Sequence, residues 1–158
     1  MAAAQPIPAA VVLDTSVVVG WVFNETEKAP WAQRIMERVG TGELVAHVPE
    51  LFWAEFQQVA GRKCQGDHPQ TTRAQAEQAY QDVLALPLKE VAVLVDLREV
   101  AWRRRLDLHV GSYDAYFLAL AQDLGIEYWT FDESFCQSVS ADPSVRAIVK
   151  LVGVDVQP

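Results

Sequence analysis

Apolar residues fall into two kinds of run along this chain. Short unbroken runs, rich in β-branched or aromatic residues, predict strands at Val11 to Asp14, Leu44 to Val48, Glu127 to Phe131 and Ala147 to Val152. A weaker strand is expected at Glu90 to Val93. Runs of this kind, without polar alternation, suit a parallel sheet covered on both faces. Between them the period lengthens to that of a helix. One helix starts at Ser16 and breaks near Asn24; the next spans Ala29 to Val39, with Pro30 in its first turn and Gly40-Thr41-Gly42 at its end. A third starts at Pro49 and runs to Lys63, with Leu51, Phe52, Glu55, Phe56 and Val59 on one stripe. Gly66 to Gln70 is a loop, Thr71 to Leu86 is helical by propensity, and Pro87 stops it. Leu97 to Leu108 is helical, and Ser112 caps a helix that reaches Leu124, with Gly125 just past its end. A short helix begins near Glu133, and Asp142-Pro143 turns the chain. This alternation predicts an α/β domain, a three-layer α/β/α arrangement with a mostly parallel central sheet. Residues 11–152 form the single expected domain, with a flexible lead-in over 1–10 and a tail over 153–158.

Four acids break the apolar pattern. Asp14 ends Val11-Val12-Leu13, and Asp132 follows Tyr128-Trp129-Thr130-Phe131. Glu55 lies on the apolar stripe of its helix, and Asp114 opens the apolar helix Tyr113 to Ala121. A carboxylate among apolar neighbours loses water and needs a hydrogen-bond partner or a cation. Four of them in one small domain point to a shared hard cation, Mg²⁺ or Mn²⁺, held by oxygens. Open α/β sheets bind ligands at the carboxyl ends of their strands, where Asp14 and Asp132 fall; Glu55 and Asp114 can turn toward the same edge. A metal there activates water and stabilises both oxygens of an in-line displacement, which implies phosphodiester hydrolysis.

Each acid also has a purely structural alternative. Asp14 and Asp132 are natural helix caps, and Asp114 sits where the helix dipole favours an acid. Glu55 can form a buried ion pair with an arginine. The four together weigh more than any one. Thr15 and Ser16 offer hydroxyls to the Asp14 carboxylate or to a metal-bound water, or Ser16 simply caps its helix. Glu133 is either a further ligand or an exposed first-turn acid. Arg62, Lys63, Arg103, Arg104 and Arg105 are the candidate phosphate contacts, against a solvated helix face for the arginine run. Trp102 and the other large aromatics belong to the core or a dimer surface, or stack on bases.

The net charge of −8 argues against a general nucleic-acid coat protein, whose affinity comes from Lys and Arg on phosphates. It leaves a nuclease open, because acids that bind a divalent ion become a cationic site when loaded. Cys64 and Cys136 make no CxxC pair, and His47, His68 and His109 show no ligand or triad spacing. The start, Met1 to Ala10, has no basic residue and does not read as a signal peptide, and no apolar run spans a bilayer, so a reducing cytoplasm is expected.

The ordered blocks Val-Leu-Asp-Thr-Ser-Val, Pro-Glu-Leu-Phe-Trp-Ala-Glu, Tyr-Asp-Ala-Tyr-Phe-Leu-Ala-Leu-Ala and Trp-Thr-Phe-Asp-Glu-Ser-Phe resemble the PIN-domain family. In size and motif order the chain is similar to VapC-type toxins of type II toxin–antitoxin pairs. The resemblance covers Val11 to Val152. It implies a PIN-like fold and a Mg²⁺- or Mn²⁺-dependent endoribonuclease whose acidic positions carry over to Asp14, Glu55, Asp114 and Asp132. The small hydroxyl after the first acid falls on Thr15 or Ser16. It further implies a homodimer, an RNA substrate and a VapB-type antitoxin whose tail blocks the acidic groove. Two features depart from the pattern: Gln58 stands where an Asn is common, and Lys63 to Thr72 is longer and more polar than usual.

Two other classes compete. A non-catalytic PIN-like module would bind RNA or protein without cutting, against which the intact acids argue. A phosphoacceptor receiver domain would need adjacent acids after the first strand and an acceptor Asp after a later one, which are missing. A haloacid-dehalogenase-type phosphohydrolase needs Asp-x-Asp where this chain has Asp14-Thr15-Ser16. The RNA target and the metal count are not written in these residues.

Overall fold

The computed structural model describes residues 8–158; residues 1–7 of the expected lead-in lie outside the described residues. Five strands form one sheet among these residues: β1 (Ala10–Leu13), β2 (Val45–Pro49), β3 (Lys89–Val91), β4 (Glu127–Thr130) and β5 (Val149–Leu151). Their order is β3-β2-β1-β4-β5, and every pairing is parallel. Val12 sits opposite His47 on one side and Tyr128 on the other, so β1 is the central strand. Val11, Val12 and Leu13 are fully buried, as a run without polar alternation requires.

The chain goes outward from β1 to β3 and then returns to the other side of β1 for β4. This reversal places a switch point between β1 and β4, where such sheets open a crevice at their carboxyl edge. Right-handed crossovers put α1 (Thr15–Val22), α2 (Ala29–Thr41), α3 (Phe52–Cys64) and α4 (Arg73–Leu84) on one face. They put α5 (Val95–Leu108), α6 (Ser112–Leu124), α7 (Glu133–Ser138) and α8 (Pro143–Ile148) on the other. α6 lies across β1, β2 and β4, and α5 packs along its outer side. Tyr128, Trp129, Phe52, Phe56 and Phe117 are the largest fully buried side chains, with Phe117 stacked on Tyr128 at 5.9 Å.

Several boundaries differ from the expectation for identifiable reasons. Pro49 ends β2 instead of starting the next helix, which begins at Phe52. The β1–β2 register stops at His47, so only β3 runs beside Pro49 and its missing N–H costs no bond toward β1. Ser112 is the first residue of α6 and makes no cap; Gly111 holds that position. Asp142 does more than turn the chain: its carboxylate accepts from the N–H groups of Ser144 and Val145 and caps α8, a helix the pattern did not predict. β5 is correspondingly shorter than expected. Asn24 takes a left-handed φ of 49° at the anticipated break after α1. Thr72 and Gln75 form a reciprocal capping box at the start of α4. No helix among the described residues is long and apolar enough to cross a membrane.

Candidate active site

The carboxyl edge of β1 sets the first acid. Asp14 follows Leu13 directly and caps α1, accepting from the Ser16 N–H at 3.2 Å. Its side chain is only 5% exposed, and that degree of burial is sustained by donors from two elements, α1 and β4. The Ser16 hydroxyl also donates to it, the Thr130 hydroxyl does so at 2.9 Å, and the Tyr128 hydroxyl reaches the other oxygen at 2.9 Å. Tyr128 and Thr130 are two apart on β4, so both point to one face beside β1. The cap and the acidic edge are therefore one arrangement, not alternatives.

The other three acids face the same cavity of about 230 Å³, whose lining includes Asp14, Thr15, Ser16, Glu55, Asp114 and Asp132. Glu55 comes one turn into α3 and accepts from the Thr15 hydroxyl at 2.5 Å. Asp114 stands in the first turn of α6, close over Gly111, where an added Cβ would lie 2.6 Å from its Oδ2. Asp132 caps α7 through the Phe135 N–H at 2.9 Å and accepts from the Ser134 hydroxyl at 2.7 Å. Its own N–H donates to Thr130 Oγ1 at 2.9 Å. Thr130 thus ties Asp14 to the backbone of Asp132, and Ser16 accepts from the Phe131 N–H at 3.0 Å.

Negative charge is in excess in this cavity. None of the five ion pairs among the described residues includes Asp14, Glu55, Asp114 or Asp132. The Arg partner considered for Glu55 is replaced by the neutral Thr15 hydroxyl, and Lys28, on the cavity wall, is paired with Glu25 at 3.5 Å. Burial, followed by the charge of Asp14, pushes Glu55 up to about 7. Burial and the charges of Asp14 and Asp132 push Asp114 up to about 7 as well. As placed, no three of the described acids converge closely enough to hold an ion. The donor chemistry nevertheless fits a hard divalent cation: the acids offer oxygen ligands and surplus negative charge, and the one ammonium on the wall, Lys28, is paired with Glu25.

The remaining candidates are distributed differently. Glu133 is exposed, accepts from Gln137 at 3.3 Å and does not line the cavity. Lys63 is anchored to Glu25 at 2.8 Å and lies 5.4 Å over the Phe23 ring, while Arg62 is exposed beside it. Arg103 is exposed on α5 and Arg104 bonds Gln122 at 2.8 Å; neither lines the acid cavity. Tyr128 and Thr130 are the residues that sequence reasoning passed over. Strand alternation puts their two hydroxyls on one face, but only the β1–β4 pairing aims them at Asp14. We expect Thr130→Val to lower stability by roughly 1–3 kcal/mol, since it leaves the part-buried Asp132 N–H without its acceptor and Asp14 without one of its donors. Chemical denaturation reads this directly; an unchanged midpoint would mean that the hydroxyl carries no such role.

An all-parallel α/β domain with acids gathered at its switch point defines the class. The chain belongs to the PIN domain family, whose model matches residues 11–138. Members of that family are typically nucleases. No curated protein matches the chain in sequence. Among solved structures it is similar to a chain of VapBC2 from Rickettsia felis, a complex bound to a DNA fragment from its promoter, at 12% identity and a TM-score of 0.63 over 90% of this chain and 98% of that one. It is similar to VapC20 of Mycobacterium tuberculosis, a toxin that cleaves the sarcin-ricin loop, at 20% identity and a TM-score of 0.63 over 81% of this chain and 94% of that one. A chain of a toxin–antitoxin complex from Klebsiella pneumoniae aligns at 15% identity and a TM-score of 0.58, covering 89% and 95% respectively. At these identities the likeness establishes the fold.

Proposed function

We propose that this protein is a Mg²⁺- or Mn²⁺-dependent endoribonuclease, the toxin of a toxin–antitoxin pair. The observation that carries the reading is one cavity lined by four acids, from the ends of β1 and β4 and from α3 and α6, none of which is in an ion pair. Asp14, Glu55, Asp114 and Asp132 are the residues that would hold the ion. A divalent cation bound by them supplies an activated water and charge stabilisation for phosphodiester hydrolysis. Asp14, fixed by its hydroxyl donors, positions that edge. Glu55 and Asp114, both near neutrality, are suited to take up a proton at working pH. Thr15 orients Glu55 and Ser16 orients Asp14.

A small antitoxin as partner is supported by the complexes in which the similar chains from Rickettsia felis and Klebsiella pneumoniae were solved. The outer face of α5 suits a protein interface, such as that of a homodimer. Val95, Trp102 and Leu106 form a stripe there that stays 61%, 61% and 51% exposed.

The deciding test is cleavage of a mixed tRNA and rRNA pool with Mn²⁺, Mg²⁺ or EDTA. Discrete cuts only with metal support the reading. Cuts that persist in EDTA overturn metal dependence, and RNA binding without any cuts favours a non-catalytic binding module. A finer check is Gly111→Ala. Its methyl would collide with the Asp114 carboxylate while the backbone, at φ −61°, accepts alanine. We expect a folded protein whose cleavage rate drops about tenfold or more, because misplacing a reacting group is costly. A wild-type rate would show that the position of Asp114 is not critical.

A further inference from the structure

A second cavity adjoins the acidic one. Its volume is about 480 Å³, and it lies between the α1–α2 turn, the end of α3 and the exposed face of α4. Glu25 lines both cavities, so the two share a wall. Lys63 stands at the end of α3 on this boundary, held by Glu25 at 2.8 Å and by the Gln70 amide oxygen at 3.3 Å. We propose that this pocket receives one unpaired base of the RNA beside the scissile phosphate, and that it selects a keto base. The proposal rests on the ribonuclease reading above.

The lining carries the argument. Its size is that of pockets that enclose small ligands. Phe23 supplies an aromatic wall, with the Glu25-paired ammonium of Lys63 5.4 Å over its ring. The amides on the wall are oriented by their own hydrogen bonds. The Gln75 oxygen accepts from the Thr71 hydroxyl and from both the N–H and the hydroxyl of Thr72. The Gln70 oxygen accepts from Lys63. With both oxygens engaged, each amide presents its NH₂ group as the free donor. Asp82, which holds Gln78 at 2.8 Å, leaves carboxylate acceptor capacity on the same wall. Two amide donors and a carboxylate acceptor match the carbonyl oxygens and imino N–H of a keto base. An extended peptide offers donors and acceptors in alternation and would satisfy this wall less completely.

The test is fluorescence anisotropy with the full chain in EDTA, using labelled five-nucleotide oligo(U) and oligo(A). We expect oligo(U) to bind about tenfold more tightly, the worth of one or two well-placed hydrogen bonds. Gln75→Glu keeps the capping box, and Gln70→Glu keeps the acceptor for Lys63, while each replaces the free donor with an acceptor. Both should lose the preference without a change in melting temperature. Equal affinity for the two RNAs, or a preference that survives both substitutions, overturns the proposal. So does a polyglutamate peptide that binds more tightly than either RNA and is released by the same substitutions, which would assign the pocket to a peptide. Binding is read in EDTA and cutting in Mn²⁺, so the pocket and the nuclease reading fail by separate results.

Discussion

Asp114→Asn should abolish RNA cleavage, by about a thousandfold or more, and should make the metal-free protein more stable at pH 8. The two effects share one cause. Asp114 is buried close to Asp14 and Asp132, and burial together with their charges pushes its carboxyl up to about 7. At pH 8 it is ionised inside a cavity of like charge, and the neutral amide removes that repulsion. The same substitution removes an oxygen donor from the proposed cation site and a group placed to move a proton, a role typically worth about 10²–10⁴-fold in rate. Core substitutions that impair an enzyme usually lower stability too. A higher melting point together with lost cleavage therefore separates a functional acid from a structural one. Retained cleavage in the variant would refute the assignment of Asp114, and a lower melting point in EDTA would show that the carboxylate serves the fold.

The second large effect is a pH dependence. Glu55 and Asp114 both have carboxyls raised to about 7 from ordinary values of 4.5 and 3.8. Between those limits the folded protein keeps protons that the unfolded chain has released. Stability from this source is therefore full below about pH 4 and is lost as pH rises to about 7. Raising a carboxyl by one pH unit is worth about 1.4 kcal/mol, so the two groups together amount to at most about 8 kcal/mol. For a domain of this size that is a fall of roughly 20 °C in melting temperature. His47 acts in the opposite sense, since burial and Lys89 lower its pKa and favour the folded state as pH rises toward 6.5. Glu25, Asp142 and Asp155 act in that sense too, but only as pH falls below their ordinary values of 4.5 and 3.8. Manganese should reverse the loss above pH 7 and release protons as it binds. Melting curves in EDTA and in Mn²⁺ from pH 4 to pH 8 read both, and a flat EDTA profile would exclude a crowded acidic cavity. In Asp114→Asn the slope should be roughly halved.

The sheet and its helices were legible because their signals are local and redundant. Val11-Val12-Leu13 could be little other than a buried parallel strand, and Gly125 marks its helix end through a left-handed φ of 65°. The four acids stood out because burying charge is costly whatever the fold. What surrounds them was not legible, since it depends on register. Nothing near Asp14 in sequence announces Tyr128 or Thr130; they reach it only because β4 pairs in parallel with β1, with Val12 opposite Tyr128. Helix starts were misplaced where a tertiary neighbour overrode a local rule. Ser112 is a better cap than Gly111 by propensity, but the carboxylate of Asp114 fills the space a side chain at residue 111 would need. The polar segment after α3 gave no pattern to read, yet it supplies Gln70 and Thr71 to the pocket wall.

The bonds from Tyr128 and Thr130 to Asp14 span 114 and 116 positions. During synthesis the first acid therefore waits until β4 has been made. A product that stops before β4 carries Asp14, Glu55 and Asp114 but has neither the hydroxyls that fix Asp14 nor the strand that brings Asp132 beside it. Interrupted translation should yield fragments without the assembled acidic edge, which can form only after β4 has been made and has paired with β1.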